Sequence, residues 1–359
     1  MAARKPHGMS FCRVACVYVG AVVGAGFASG REVWVFFARY GPFGMVGLAT
    51  AALLFCVLAP ILMLTMRANS FGQYGDLLRH YFSRSTASLV DVVITLYLFG
   101  VLSVMFTGSV SLVSRTIGLG HLPSALLIAA ILIVTASPGM RRISAASLFL
   151  TPALVVGIAL LCLDHLRRLD ISSVMKSLQP QAPATAVAAT ASSLIYASYN
   201  MLMCLGVFAS LASSKAKAIS LTLGGALGGF VLGALAFLVF AALAVTPDWI
   251  AGADMPLLFI ARSFGGSTYA IYLVAVWAAM ITTALSMLIS LTSRLSALEY
   301  ADNRYVNQTS VSVLLTLACI PISYVGFAPL MDRVYLLFGV LGSAILLLIL
   351  KARHSYANR

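Results

Sequence analysis

The sequence predicts an all-α polytopic membrane protein with about ten transmembrane helices in two sets of five, and three observations predict it. Of 359 residues, 61% are hydrophobic and 9% charged, with a mean hydropathy of +1.00, far from the composition of a soluble domain. Apolar runs of about 20 residues recur from end to end, each long enough at about 1.5 Å per residue to cross roughly 30 Å of hydrocarbon. A polar stretch near mid-chain, DHLRRLDISSVMKSLQPQAP, leaves five runs on each side.

In chain order the first half, 11 to 165, holds spans at 11 to 38, 42 to 66, 87 to 115, 122 to 138 and 143 to 164. The second half, 185 to 351, holds spans at 185 to 211, 217 to 246, 267 to 294, 307 to 327 and 330 to 351. Five is odd, so the second half enters the bilayer with the opposite orientation to the first, which is the arrangement of an inverted repeat within one transmembrane domain, 1 to 359.

The formal charge of +13 comes from Lys and Arg scattered singly or in pairs between apolar runs, without the basic block or aromatic interleaving of a nucleic-acid surface. Membrane topology accounts for it. A cytoplasmic N-terminus puts 15 of the 23 Lys and Arg on that side, among them Arg4, Lys5, Arg141, Arg142, Lys215, Arg304 and Arg359, and 8 on the other. The C-terminus is then cytoplasmic too. The start, MAARKPHGMSFCRVACVYVG followed by AGFASG, also fits a signal peptide, but cleavage would reverse the span count that keeps the basic loops inside. All six cysteines lie in apolar segments without CxxC spacing, so buried free thiols are expected rather than a disulfide framework or a zinc site.

The first span carries Gly20, Gly24, Gly26 and Gly30 in a run, GAVVGAGFASG, although each glycine weakens a helix by about 1 kcal/mol relative to alanine. Two readings fit. Glycines four apart allow close helix packing; or the helix is broken there, exposing backbone groups to a cavity, as in transporters with inverted repeats. The sixth span has Ser198, Tyr199 and Asn200 at the matching depth, which favours breaks in both helices 1 and 6. A broken first span would offer amides at Gly24, Ala25 and Gly26 to a carboxylate and carbonyls at Gly20 and Val23 to a small hard cation.

The string VGAGFASGREVWVFF, Val23 to Phe37, resembles the first-span motif of YkvI-type bacterial membrane proteins, and YASYN, 196 to 200, is similar to their sixth-span motif. That resemblance implies membership of the amino acid/polyamine/organocation superfamily and its LeuT-type five-plus-five inverted-repeat fold, in a bacterial cytoplasmic (inner) membrane. It further implies a cation between first-span carbonyls and eighth-span hydroxyls, here Gly20, Val23, Thr282, Thr283 and Ser286. Hydroxyl groups that merely bond the carbonyl one turn back fit the same residues. Phe27 stands where a second sodium site would need an asparagine, so at most one cation is implied.

By the same resemblance, Gly24, Ala25, Gly26, Phe27, Ser198, Tyr199 and Asn200 surround a substrate, with Ser198 carbonyls receiving an ammonium group. Arg31 belongs to an outer gate or reaches the headgroups; Glu32 at that depth needs a role or a partner. Asp91 reads as exposed and Tyr97 as core. TPDWIAGADMPLLFIARSFGG, with Asp248 and Asp254, either caps the outer vestibule or simply connects spans.

The expected function is secondary active transport of a small organic solute, an amino acid or related carboxylate, by alternating access coupled to Na+ or H+. A nutrient sensor on the same fold is the rival. No cofactor is expected beyond Na+ as coupling ion, and the expected partners are the solute and the lipid bilayer, with no nucleic acid. The ten acidic residues form no catalytic cluster, and GxSxG and P-loop motifs are absent, which argues against an enzyme.

Overall fold

The computed structural model describes residues 9–136, 147–168, 185–214, 216–300 and 308–357. The helices, in chain order, are α1 (Phe11–Val22), α2 (Ala25–Ser29), α3 (Arg31–Phe36), α4 (Pro42–Ala68), α5 (Tyr74–Tyr81), α6 (Arg84–Ile117), α7 (His121–Ala136), α8 (Ser147–Arg167), α9 (Ala186–Ala212), α10 (Ala218–Ala244), α11 (Asp248–Ala251), α12 (Pro256–Ser263), α13 (Gly266–Tyr300), α14 (Gln308–Ser323) and α15 (Phe327–Ala357). Six are long and apolar enough to cross a membrane unaided: α4, α6, α9, α10, α13 and α15. With α1 to α3 as one interrupted span, and with α7, α8 and α14, the sequence's ten segments are accounted for. The side holding Ser10, α5 and the α9–α10 turn is called here the N-terminal face; the side holding Gly41, α11 and α12 is the far face. Arg4, Lys5, Arg141, Arg142, Lys215, Arg304 and Arg359, counted in the charge bias, lie outside the described residues.

The first span is broken where its glycines are. Val23 (φ −73, ψ 82) turns the chain so that Gly24 N donates to the Val22 carbonyl at 2.8 Å, an inverse γ-turn that ends α1. Gly24 is extended (φ −100, ψ −168) before α2 begins. Gly30 then adopts φ +81, left-handed, to close α2 and open α3; Leu257 packs where its Cβ would lie, so both conformation and space require glycine. The Ser29 hydroxyl spans this joint, donating to Gly26 O at 2.8 Å and accepting from Arg31 N at 3.2 Å.

The sixth span is not broken, contrary to the expectation from Ser198, Tyr199 and Asn200. α9 runs unbroken from Ala186 to Ala212. It contains one glycine, Gly206, and no proline, and Ser198 and Asn200 both find hydrogen bonds without unwinding it. Asn200 Nδ2 donates to the Tyr196 carbonyl one turn back at 2.9 Å, and the Ser198 and Ser343 hydroxyls pair at 3.0 Å, joining α9 to α15.

The close packing that the glycine pattern suggested for the first span occurs in α10 instead. Gly224 and Gly228 lie against Val14 and Tyr18 of α1, and Gly225, Gly229 and Gly233 against Pro60, Cys56 and Ala52 of α4. Helices α1, α4, α9 and α10 thus form one packed group, while α6, α7, α13 and α14 form another, and α15 touches both α9 and α6. The cysteines are free, as expected, but Cys12 and Cys16 are exposed because α1 presents one face outside the helix packing, and Cys56 on α4 is half-buried.

Candidate functional site

The break opens onto a cavity of about 280 Å³ between α1, α3, α6, α8, α9, α13 and α15. It runs from Glu32 and Tyr335 past Gly24 and Tyr199 to Cys16, Val207 and Ser286 toward the N-terminal face. That volume sits just under the roughly 300–1,000 Å³ usual for small-molecule sites.

All five residues expected at a cation line this cavity: Gly20, Val23, Thr282, Thr283 and Ser286. Ending α1 early diverts Gly24 N to Val22, and among the described residues no backbone N–H is donated to the carbonyls of Gly20 or Val23. Thr282 and Ser286 hydroxyls donate one turn back, at 2.9 Å to Ala278 O and 2.8 Å to Thr282 O, which still leaves oxygen lone pairs. The Thr283 hydroxyl makes no hydrogen bond among the described residues. It sits beside Gly24, 3.7 Å from where a Cβ would be.

The expected substrate residues divide differently. Gly24 and Tyr199 line the cavity; Gly26, Phe27, Ser198 and Asn200 do not. Phe27 is fully buried and Ser198 is engaged with Ser343, and because α9 is continuous the carbonyls around Ser198 are not freed to receive an ammonium group. Of Ala25 only the backbone is described. Beside Gly26 lies the Glu32 carboxylate, close enough that a Cβ there would collide with it.

Glu32 and Arg31 point apart. Arg31 forms a two-pronged bridge to Asp332 at the start of α15, Nη2–Oδ2 2.6 Å and Nε–Oδ1 3.2 Å, and its Nη1 donates to the carbonyls of Gly252 (2.5 Å) and Ala253 (3.4 Å). With Leu257 over Gly30, these contacts lay the α11–α12 connection across the far side of the cavity, and Arg115 anchors it through Asp254 at 2.6 Å. The Asp248 side chain lies outside the described residues. Glu32 instead faces inward, is buried, and lines the cavity with Oε2 unpartnered. Around it stand Tyr97, Tyr196, Tyr199 and Tyr335, all buried, with Tyr199 and Tyr335 stacked at 4.8 Å.

The sequence reading missed the partners of two residues it had named, Arg31 and Asp91. Asp332 is one; the other is a cluster at the N-terminal face, where Asp91, read as exposed, takes Arg294 Nη2 at 2.5 Å and the Tyr74 hydroxyl at 3.0 Å. Burial pushes the Tyr74 phenol up, keeping it a donor to Asp91. Arg294 also lies over the Tyr74 ring at 5.0 Å. The cluster ties α5, α6 and α13 together on the side where the cavity emerges.

Comparison with known proteins agrees with this architecture. No family model matches the chain. It is 24% identical over 335 residues to the uncharacterised membrane protein YkvI of Bacillus subtilis (strain 168), covering 93% of this chain and 94% of that one. The chain resembles the YkvI-type membrane proteins along nearly its whole length. A second B. subtilis relative, YyaD, is 25% identical over 344 residues, 92% of this chain and 94% of the other. Among solved structures, an outward-open Na+-coupled sialic acid symporter aligns with TM-score 0.65 at 13% identity, over 96% of this chain and 78% of that one. Inward-facing Mhp1 aligns with TM-score 0.66 at 15% identity, over 97% and 77%. A manganese transporter of Eremococcus coleocola aligns at 0.60 and 13% identity, over 95% and 79%. The shared feature is the LeuT-type fold; the cargoes in those names differ, so the fold alone does not name this chain's solute.

Proposed function

We propose that the chain is a secondary active transporter that moves a small organic solute by alternating access between two five-span repeats, 11–165 and 185–351, in a bacterial cytoplasmic membrane. The observation that carries this reading is the interrupted first span opening onto a cavity that extends toward one face while Arg31–Asp332 and the α11–α12 connection cover the other. A broken helix in hydrocarbon is tolerated only where its freed backbone groups face protein or a water-filled cavity. Assigning the N-terminal face to the cytoplasm rests on the 15-to-8 division of basic residues, and makes the described conformation inward-facing.

The coupling ion in this reading is Na+, carried at the carbonyls of Gly20 and Val23 and the hydroxyls of Thr282 and Thr283, with Ser286 one turn away. Oxygen donors of this kind suit a small hard cation, and a cation there joins α1 to α13. The solute occupies the space between Gly24 and Tyr199, and an amino acid or a related small carboxylate-bearing molecule is of a size to fit.

Two measurements test the reading. Purified protein is expected to melt higher in sodium than in matched potassium, and Thr283→Ala is expected to abolish the difference; equal melting in both salts would instead point to proton coupling. In proteoliposomes, a ligand found by stabilisation is expected to show counterflow. Saturable binding without counterflow would reject transport in favour of a sensor.

A further inference from the structure

We propose that the cavity selects a solute bearing an amino or ammonium group, which docks on Glu32 within the cluster of tyrosine rings. This deepens the transport reading, resting on it only for how the solute comes and goes.

Glu32 is the only Asp, Glu, Lys, Arg or His among the described residues that line the cavity. It is 4% exposed and its Oε2 has no hydrogen-bond partner. A carboxylate taken out of water without a partner is among the least tolerable groups in a membrane interior, where such residues mark ligand or ion pathways. Its neighbour Arg31 does not compensate it, being committed to Asp332 and two carbonyls on the far side. The hydroxyls of Tyr97 and Tyr196 close by are themselves unpartnered, and the Tyr199 hydroxyl is placed to donate to the Glu32 carboxyl. The site therefore offers a carboxyl oxygen and phenol hydroxyls to a solute, and its lining among the described residues holds no cation of its own.

The placement is built in. Any side chain at Gly26 would collide with the carboxylate, so the glycine makes room for Glu32 beside the break. The rings supply the second recognition element. Tyr199 and Tyr335 line the cavity as a stacked pair, and Tyr196 meets Tyr199 edge-on at 5.4 Å, presenting aromatic surface of the kind that attracts ammonium groups. An anionic carboxylate brought to the same place would find an acid and no cation among the described lining residues. An amino-acid-like solute thus enters with its nitrogen toward Glu32 and its carboxylate away, the reverse of a carboxylate seated at Gly26.

The test uses full-length protein in detergent at constant sodium, with size-matched probes: butylammonium and choline against butanol and butyrate. The ammonium probes are expected to stabilise and bind; butanol and butyrate are not. Glu32→Gln, checked by size-exclusion profile and melting in the absence of probe, is expected to weaken ammonium binding by about 30-fold or more, as for removing one partner of a buried charge pair. Tyr199→Phe, which keeps the ring, is expected to bind within about 3-fold of wild type, and Tyr199→Leu to lose binding. Gly26→Ala, which displaces the carboxylate without changing charge, provides a second route to the same loss. The proposal is overturned if Glu32→Gln binds ammonium probes as wild type does, if butyrate binds in their place, or if no ammonium probe binds up to about 10 mM. Ammonium binding that depends on Glu32 without counterflow would sink transport and leave this site standing. Counterflow of a solute without an amino group, insensitive to Glu32→Gln, would do the opposite.

Discussion

The Arg31–Asp332 bridge makes a quantitative prediction about which face of the cavity is open. Asp332→Asn removes the negative partner of a fork with arms of 2.6 and 3.2 Å but leaves Arg31 its carbonyl bonds at Gly252 and Ala253. Breaking a fully buried pair costs about 3–5 kcal/mol and an exposed pair at most about 1. The Arg31 side chain is 12% exposed and that of Asp332 34%, so screening on the Asp332 side places the loss between these limits, at about 1–2 kcal/mol. The bridge joins α3 to α15 on the covered far side, so its loss is expected to shift the equilibrium about 5- to 30-fold toward the far-open arrangement. Cys16 lines the cavity on the N-terminal side and is exposed, which makes it a reporter of that opening. In a Cys12→Ser background, modification of Cys16 by a charged thiol reagent, followed by mass spectrometry, measures the fraction open to that side. For a protein near balance, the shift slows labelling by about 3- to 15-fold. Removing the exposed Arg115–Asp254 pair with Arg115→Gln should change it by less than about 2-fold. Labelling of Asp332→Asn at the wild-type rate would show that the bridge does not hold the far side shut.

Three further outcomes follow from particular contacts. Gly229→Ala puts a Cβ at 2.5 Å from the Cys56 backbone and should lower the melting temperature by prising α10 from α4, at a cost of about 1–3 kcal/mol; Gly206→Ala meets nothing within 4 Å and should be neutral or stabilising by up to about 1 kcal/mol. Asp91→Asn and Tyr74→Phe should each cost about 1 kcal/mol in thermal melts and couple in a double-mutant cycle, because Arg294 and Tyr74 share one carboxylate that is itself partly exposed. At the start of α5, the Asp76 carboxyl is held below its usual range, first by Arg79 and then by the Gln73 and Gly72 amides. A depressed acid stabilises above its unfolded value and loses that contribution as pH falls through its folded one. Amide-exchange protection at Gly72 and Gln73 should therefore disappear on acidification below the ordinary carboxylate range, and Asp76→Asn should lack the transition.

The fold was legible because it is dictated by hydrocarbon thickness. Ten apolar runs of the right length give ten segments, and the break at Val23–Gly24 was readable from glycines that a regular helix has no use for. The sixth span shows where depth matching stops being informative. Ser198 and Asn200 carry hydrogen-bonding groups that a helix absorbs by back-bonding or by pairing with a neighbour such as Ser343, so polar residues without Gly or Pro do not signal a break. Close packing is one of the two readings that the first-span glycines allow, but the small-residue seam lies along α10, whose glycines recur through ISLTLGGALGGFVLGALA. That repeat was visible; what distinguished it from the first-span cluster was its regular spacing over three turns.

Glu32 was named in the sequence, but its meaning was not, and helix geometry explains the difference. Adjacent Arg and Glu invite the assumption that they neutralise each other. Successive residues on a helix point about 100° apart, and only those three or four apart share a face. In α3 this rotation sends Arg31 to the far-side connection and Glu32 toward the break. Two charges that look like a pair in one dimension thus become a lid contact and an uncompensated acid in the cavity. The partner that Arg31 does find, Asp332, lies 301 residues away and at the start of the tenth span, where no local pattern could have announced it. An adjacent acid and base in the middle of a broken span is therefore better read as two separate sites on opposite sides of one helix, and the acid left facing the cavity indicates the sign of charge its solute must bring.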